Sequence, residues 1–320
     1  MLEIPHYVVE ASLRFREEVL RPAWQEYERA RTPNPCIRCN ELVKFASLFD
    51  LAEKLGAEAI ATGHHAGIVK DVNGHCLLAR GADRNKDQSY FLFRLLPLLC
   101  KIQFPIGGLT KAQVRAKAQA LGLDVADRPD SQDACLVKSG SGRTDFAEAL
   151  RELFGAPARP GAMVDGQGRR LGSHQGYHRF TIGQRRGIGV ASNQGRLYVT
   201  ALDPDRALVV LGPREQLLSQ GLVASDLIWD GPMEPGDFEV QIRYRHKAVA
   251  AWIQPHGSEV LVRFREPQPA VTPGQAAVFY RGDILRGGGW IQRALQADDP
   301  ILSDLPAPAT SSRSETQSPA

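Results

Sequence analysis

The sequence contains no apolar run that approaches membrane-spanning length, so no transmembrane helix is expected. Its first residues, MLEIPHYVVEASLRFREE, lack a basic segment followed by an apolar core. That pattern predicts no signal or transit peptide, no membrane partner and a cytoplasmic chain. Charge of one sign is also scarce. The formal net charge is only +3, so any surface for nucleic acid has to be a local patch rather than a global field. Aromatic residues make up only 7% of the chain, whereas apolar residues reach 43%, enough for a packed core. Cysteines number five, an odd count in a long chain with no secretion signal. A disulfide framework is therefore not expected, and metal or redox chemistry is the better reading of the cysteines as a group.

What is present divides the 320 residues into two or three domains. The first half alternates strand-like and helix-like segments. Tyr7-Val8-Val9 reads as a short buried strand and residues 12–31 as a charged amphipathic helix. Residues 40–55 carry Leu42, Val43, Ala46, Phe49 and Leu55 at helical spacing, with Gly56 as a natural C-cap. AEAIATG reads as a compact strand ending in Gly63, and a basic helix over 111–121 is closed by Gly122. This β-α-β-α rhythm predicts a parallel sheet with helices on its faces. After about residue 148 the helical period gives way to short runs between Gly and Pro turns: RLYVTALD, ALVVLG, FEVQIRYR, EVLVRFR and AAVFYRGD. These predict antiparallel strands in small all-β domains. The last stretch, 297–320, is rich in Pro, Ser, Thr and Ala and reads mostly as a disordered tail.

Five local signals carry possible chemistry. In Thr32-Pro33-Asn34-Pro35-Cys36-Ile37-Arg38-Cys39-Asn40, two prolines restrain the chain before two cysteines at the mouth of a helix. The positive end of a helix favours thiolate there. A CxxC is equally half of a zinc site, but a zinc ribbon needs a second pair, which the sequence does not contain. Ala61-Thr62-Gly63-His64-His65 follows a strand, where open α/β sheets bind ligands, although the two histidines also suit an ordinary loop. Arg84-Asn85-Lys86-Asp87-Gln88-Ser89 offers a cation, a carboxylate and an amide before an apolar helix, and Asp87 there also reads as a plain helix cap. Asp130-Ser131-Gln132-Asp133-Ala134-Cys135 places a cysteine in a polar loop. Arg243-Tyr244-Arg245-His246-Lys247, taken as a strand, is either a phosphate-contacting face or an exposed one. Cys76, in the strand-like HCLLAR, and Cys100, in the apolar LFRLLPLLC, read as dispensable, the latter as a small buried hydrophobe.

Taken together and in order, TPNPCIRCNELVKF, ATGHHA, RNKDQSYFLFRL, FPIGGLTKAQVR, DSQDACLV, LGSHQGYHRFTIGQRRGIGV, RYRHKAV and GQAAVFYRGD resemble the bacterial tRNA-specific 2-thiouridylases of the MnmA/TrmU type. The likeness runs from about Ile4 to Arg293. It implies a fold class of α/β plus all-β: a PP-loop domain of the adenine-nucleotide alpha-hydrolase kind over 1–148, a small central β domain over 149–212, a β-barrel over 213–294 and a tail over 295–320. It also implies a sulfurtransferase in which ATP, with Mg, activates the C2 oxygen of the wobble uridine of tRNA as an adenylate. Sulfur from a persulfide then displaces AMP. By the resemblance Cys39 takes the nucleophile position and Cys135 the persulfide position. Gly63 matches the nucleotide-contacting glycine. Asn34, Pro35 and Cys36 match the segment around the target base. Lys86, Asp87, Gln88, Arg243 and Tyr244 match segments that touch tRNA. The implied partners are tRNA and a protein that donates persulfide sulfur. The chemistry is coherent, since C2 is a poor electrophile until its oxygen can leave, and sulfur delivery needs a low-pKa thiolate beside a second thiol.

Two departures from the family pattern matter. Many members carry Asp where this chain has Cys36. Cys36, Cys39 and Cys135 therefore form either a thiol and persulfide relay or a three-cysteine site for a [4Fe-4S] cluster with one iron open to sulfur. The family's SGGxDS pyrophosphate loop is not found either. Ser139-Gly140-Ser141-Gly142-Arg143-Thr144-Asp145 is only superficially like it and reads as a loop. The PP-loop sheet is accordingly expected to be incomplete. The alternatives are a catalytically incomplete tRNA-binding fragment, or a CxxC metal or iron–sulfur protein that keeps the fold only.

Overall fold

The computed structural model describes residues 4–123, 143–190 and 195–308, with the side chains of 143–145 left out. Helix α1 covers 12–28: Ser12–Phe15, a wider π turn over Arg16–Leu20, then Arg21–Glu28. Its buried stripe is Val19, Leu20, Ala23, Trp24 and Tyr27. Helix α2 covers 35–55 and also contains a π segment, Cys39–Phe45. Pro35 opens it, a position where the missing N–H costs nothing. Gly56, at φ 66°, ends it in the left-handed conformation expected of a C-cap glycine. The Tyr7-Val8-Val9 strand does not form. These side chains are 52%, 87% and 49% exposed, because an apolar run without a partner strand has nothing to pair with.

Strands β1 (Ile60–Ala61), β2 (Ala66–Lys70) and β3 (Cys76–Arg80) follow. A 3₁₀ helix covers Ser89–Lys101, and β4 (Ile102–Gln103) comes next. Among the described residues the parallel sheet is reduced to the pair β1–β4. β2 and β3 instead form an antiparallel hairpin. The Asp71 carboxylate accepts from the N–H groups of Asn73 (2.8 Å) and His75 (2.9 Å), and Gly74 takes φ 80°, so the chain reverses too tightly for a parallel crossover. The hairpin and the 3₁₀ helix are joined by a Cys76–Cys100 disulfide, Cα–Cα 5.4 Å, which corrects the reading of the two as separate side chains. Cys100 is also exposed rather than buried.

Helix α3 (Lys111–Ala120) starts with a capping box between Thr110 and Gln113. Helix α4 (Arg143–Leu153) begins where a loop was expected and carries helix past residue 148. Strands β5 (Gly161–Asp165), β6 (Arg170–His174), β7 (Tyr198–Asp203) and β8 (Leu208–Gly212) make a four-stranded sheet in the order β6-β5-β8-β7. Its β5–β8 pair is parallel, where only antiparallel pairing was expected. Tyr177 and His178 dock this sheet onto the helices. The Tyr177 hydroxyl donates to the Glu28 carbonyl (2.7 Å), and His178 Nε2 meets Glu148 at 3.1 Å.

The remaining strands are β9 (Leu218–Trp229), β10 (Gly236–Gln241), β11 (Val249–His256), β12 (Glu259–Pro269), β13 (Ala276–Arg281) and β14 (Ile284–Leu295). They pair in the order β13-β10-β11-β12-β9-β14, and β13–β14 closes a six-stranded barrel, to whose β14 the β2–β3 hairpin is appended. β13 is buried on both faces. Ala277 and Phe279 point into the barrel, while Ala276, Val278 and Tyr280 join the core that contains Ile37, Phe45 and the apolar face of the 3₁₀ helix. Gly288 of β14 permits this close approach, since a Cβ there would stand 2.6 Å from the Phe93 ring. The tail is partly structured. Leu302 and Leu305 are buried against the barrel, and Arg263 donates to both their carbonyls. Residues 309–320 of the expected tail lie outside the described residues.

Candidate active-site cleft

Between the α/β part and the barrel lies a cleft of about 1260 Å³. Its walls include Gly63 and His65 after β1, Arg80 at the end of β3, Arg84 to Gln88, Lys111 at the start of α3, and Gln241 with Tyr244 to Ala248 after β10. Three of the five sequence signals meet here, although they come from positions far apart in the chain. Gly63 is exposed at the carboxyl end of β1, where a Cβ would find Ile106 only at 3.9 Å, so backbone is open to a ligand.

The loops around the cleft are fixed by a chain of polar contacts. Gln88 accepts from the His65 N–H through its side chain (2.9 Å) and donates its own N–H to the His65 carbonyl (2.8 Å), tying the segment after β1 to Lys86-Asp87-Gln88. The Asp87 carboxylate accepts from the N–H groups of Gly81 (2.9 Å) and Ser89 (3.1 Å), from the Ser89 hydroxyl (2.9 Å) and from Arg80 Nη1 (3.3 Å). Its side chain is only 8% exposed. The Arg80 guanidinium lies 3.5 Å above the Tyr280 ring and also reaches Gln241 Oε1 at 3.4 Å. Gln241 Nε2 donates to the carbonyls of Tyr244 (2.7 Å) and Arg243 (3.2 Å). Arg243-Tyr244-Arg245-His246-Lys247 is thereby held as a turn, not the strand the sequence suggested, with the His246 N–H bonded to the Arg243 carbonyl at 3.0 Å. The turn breaks strand pairing and presents Arg245 and Lys247 to the cleft.

Burial governs the titration of the ring side chains. His64 is pushed down to about 4 by desolvation, with Lys44 and His65 adding like charge. Its Nδ1 lies 2.8 Å from the Thr62 hydroxyl, and its ring packs against Phe45 and Phe104. His64 is therefore neutral at physiological pH. Burial also raises Tyr244, which stacks on Phe91 with centroids 4.3 Å apart, and lowers His246, helped by Arg243.

The cysteine segment is clamped to the barrel. Gln275 Nε2 donates to the carbonyls of Thr32 (3.0 Å) and Pro33 (3.1 Å), and the Thr32 N–H donates to the Pro273 carbonyl (2.9 Å). Gly274, at φ 88°, is required at this contact, because a Cβ would stand 2.8 Å from the Thr32 carbonyl oxygen. Cys36 is exposed in the first turn of α2. Cys39, one turn on, is half-buried and packs against the cluster of Trp24, Tyr27, Phe146 and Leu150. Asn34 and Pro35 line a second, smaller cavity. Cys135 and its neighbours 130–136 lie outside the described residues. Among the described residues no group of three or more His, Cys, Asp or Glu side chains is disposed to hold a metal ion, and the three-cysteine site cannot be placed without Cys135. Arg80, Gln241 and Gln275 escaped sequence reasoning as functional candidates. Gln275 and Tyr280 fall in the GQAAVFYRGD stretch of the resemblance, but nothing local marks Arg80 or Gln241.

Comparison with known proteins agrees with this architecture. Residues 1–139 match the family described as tRNA methyl transferase HUP domain, 153–213 its PRC-barrel domain and 219–291 the aminomethyltransferase beta-barrel domain. The tRNA-specific 2-thiouridylase MnmA of Geobacter metallireducens is 45% identical over 296 residues, covering 91% of this chain and 79% of the relative. The protein of the same name from Acidithiobacillus ferrooxidans is 44% identical, covering 91% and 83%. That from Rhodospirillum centenum is 42% identical over 320 residues, covering 96% and 80%. With a HUP domain, a PRC-barrel and a closed β-barrel in that order along the sequence, and relatives 42–45% identical over more than nine-tenths of it, the chain belongs to the tRNA-specific 2-thiouridylase (MnmA) family.

Proposed function

We propose that this protein transfers sulfur, at the expense of ATP, from a protein persulfide to C2 of the wobble uridine of tRNA, forming 2-thiouridine. The observation that supports this most is the cleft itself, where the open backbone at Gly63, the Lys86-Asp87-Gln88 segment and the cationic turn 243–247 converge. A polar groove that combines cations with an accessible ring such as Tyr244 suits a phosphodiester strand with one unstacked base.

The residues present fit a nucleotide beside Gly63, where the backbone is uncovered and Lys86 and Lys111 supply positive charge nearby. ATP, with Mg, supplies the leaving group that the C2 oxygen lacks. The chain's own part is positional. The turn at 243–247 and Lys86 hold the RNA backbone, and Asn34, Pro35 and Cys36 border the target base. Cys135 carries the transferable sulfur. Its terminal sulfur bonds to C2 as the activated oxygen leaves, and the Cys39 thiolate then attacks Cys135 Sγ, so that the S–S bond breaks, 2-thiouridine departs and a Cys39–Cys135 disulfide is left, which a thiol reductant reopens. The half-buried setting of Cys39 against an apolar cluster suits a thiol that acts only when a partner sulfur is brought to it.

The test is a reaction of the purified protein with unmodified tRNA, ATP and a persulfide donor, with nucleosides resolved by mass spectrometry. ATP-dependent 2-thiouridine is the expected result. Tight tRNA binding with iron-dependent thiolation that survives removal of the persulfide donor would replace the relay by the cluster reading.

A further inference from the structure

A second cavity, of about 220 Å³, lies beside the cysteine segment and is lined by Pro33, Asn34, Pro35, Arg38, Arg29 and Trp290 among others. Its volume is below the roughly 300–1,000 Å³ of sites for drug-sized ligands, so it has room for one flat ring with its phosphate at the open rim, where Arg29 is exposed, rather than for a whole nucleoside triphosphate. Its chemistry is unbalanced in charge. Arg31 and Glu26 also line it, but they are committed to each other at 2.7 Å, and Arg31 further donates to Gln292 and to the Ile291 carbonyl, each at 3.0 Å. Arg29 meets the same Glu26 carboxylate only at 3.8 Å and its side chain is 70% exposed. Arg38 lies 5.9 Å from the centre of the Trp290 ring. One carboxylate thus faces three guanidinium groups, with an indole on the wall.

This combination is the one that single-stranded nucleic acid uses: an aromatic face for a base and arginines for the adjoining phosphate. The position fits as well. Pro33-Asn34-Pro35 lines this cavity, and the next residue, the exposed Cys36, is the one that the tRNA reading places beside the target base. An RNA strand whose target base lies by Cys36 must cross these residues, and its neighbouring nucleotide then reaches the second cavity. We infer that this cavity is a subsite for the nucleotide flanking the modified one, its base against Trp290 and its phosphate between Arg29 and Arg38. The inference rests on the tRNA reading above.

Equilibrium binding of an unmodified anticodon stem–loop RNA to the whole protein, repeated across a salt series, tests it. Arg29→Ala and Arg38→Ala should each weaken binding about five- to tenfold and flatten the log–log salt dependence by about one unit, the signature of a lost phosphate contact. Arg29 is exposed enough that its removal leaves the core intact. As a second readout, 5-bromouridine placed one nucleotide to either side of the target should photo-crosslink within the tryptic peptide 287–293, and Trp290→Phe should reduce that crosslink. Wild-type affinity and slope in both arginine variants, with no crosslink in that peptide, would overturn the subsite while leaving RNA binding through the cleft standing. Failure of the unaltered protein to bind the RNA at all would overturn the tRNA reading and the subsite with it.

Discussion

Asp87 is the point at which the loops of the cleft are joined, and its removal should be costly. In Asp87→Ala the N–H groups of Gly81 and Ser89 lose their acceptor, and Arg80, 15% exposed, is left with Tyr280 and Gln241 as its neighbours. Breaking one side of a buried ion pair costs about 3–5 kcal/mol. The water-accessible cleft beside it favours the lower end, about 3 kcal/mol. For a cooperative unit of 150–250 residues that corresponds to a fall in Tm of about 6–12 °C. Asp87→Asn keeps an acceptor for the two N–H groups and should lose about half as much. The decisive comparison is the double variant Arg80→Met with Asp87→Leu. Replacing both partners removes the uncompensated charge, so the pair should cost less than the two single changes together, with a coupling of about 1–3 kcal/mol. Thermal melts followed by circular dichroism give all four corners of the cycle. A single-variant cost below about 0.5 kcal/mol, or strict additivity, would refute the reasoning, because the carboxylate would then be solvated rather than holding the loops.

Two further expectations follow from the same geometry. His64 is held at about 4, below its ordinary 6.5, so the unfolded chain binds more protons than the folded one between those values. The His64 contribution to stability should be constant above about pH 6.5 and fall by about 3 kcal/mol as pH drops to about 4, and His64→Phe should remove that part of the slope in denaturant titrations. Replacing Cys76 and Cys100 by Ala opens a crosslink across 24 residues of sequence, which should cost about 3.5 kcal/mol by chain entropy while leaving RNA binding unchanged. Peptide mapping without reductant, together with melts of both forms, checks it. An intact Tm would mean that the two sulfurs are not joined in solution.

Features of the fold set by neighbouring residues were legible in the sequence. Gly56 and Gly122 end their helices with φ 66° and 65°, as C-cap glycines should. Most runs that read as strands became strands of the sheet and barrel. What failed depended on distant partners. Tyr7-Val8-Val9 had the composition of a strand but no neighbour to pair with. The α/β rhythm holds for Ile60–Ala61 and Ile102–Gln103, but between them Asn73-Gly74, a hairpin signal, turns β2 back on β3, and the hairpin joins the barrel. Arg243 to Lys247 looked like a strand because alternation alone cannot reveal that Gln241 pins two successive carbonyls and turns the chain. Leu302 and Leu305 were hidden in a Pro-rich tail, and their burial depends on Arg263 of a distant strand. The site was legible as a set of motifs, Gly63, Lys86 to Gln88 and Tyr244. The residues that hold the site, Arg80 and Gln241 at the cleft and Gln275 on the cysteine segment, act across separations of up to 243 residues, where no local pattern reaches.

The proposed chemistry is tested most directly by the thiouridine content of tRNA in a bacterial strain that lacks its own 2-thiouridylase and carries this gene in its native genomic context. The account predicts that the unaltered gene restores 2-thiouridine, and that Cys39→Ala and Cys135→Ala each abolish it while the protein accumulates to normal levels and melts normally. Near-normal 2-thiouridine from either cysteine variant would contradict the assignment of sulfur transfer to these two residues.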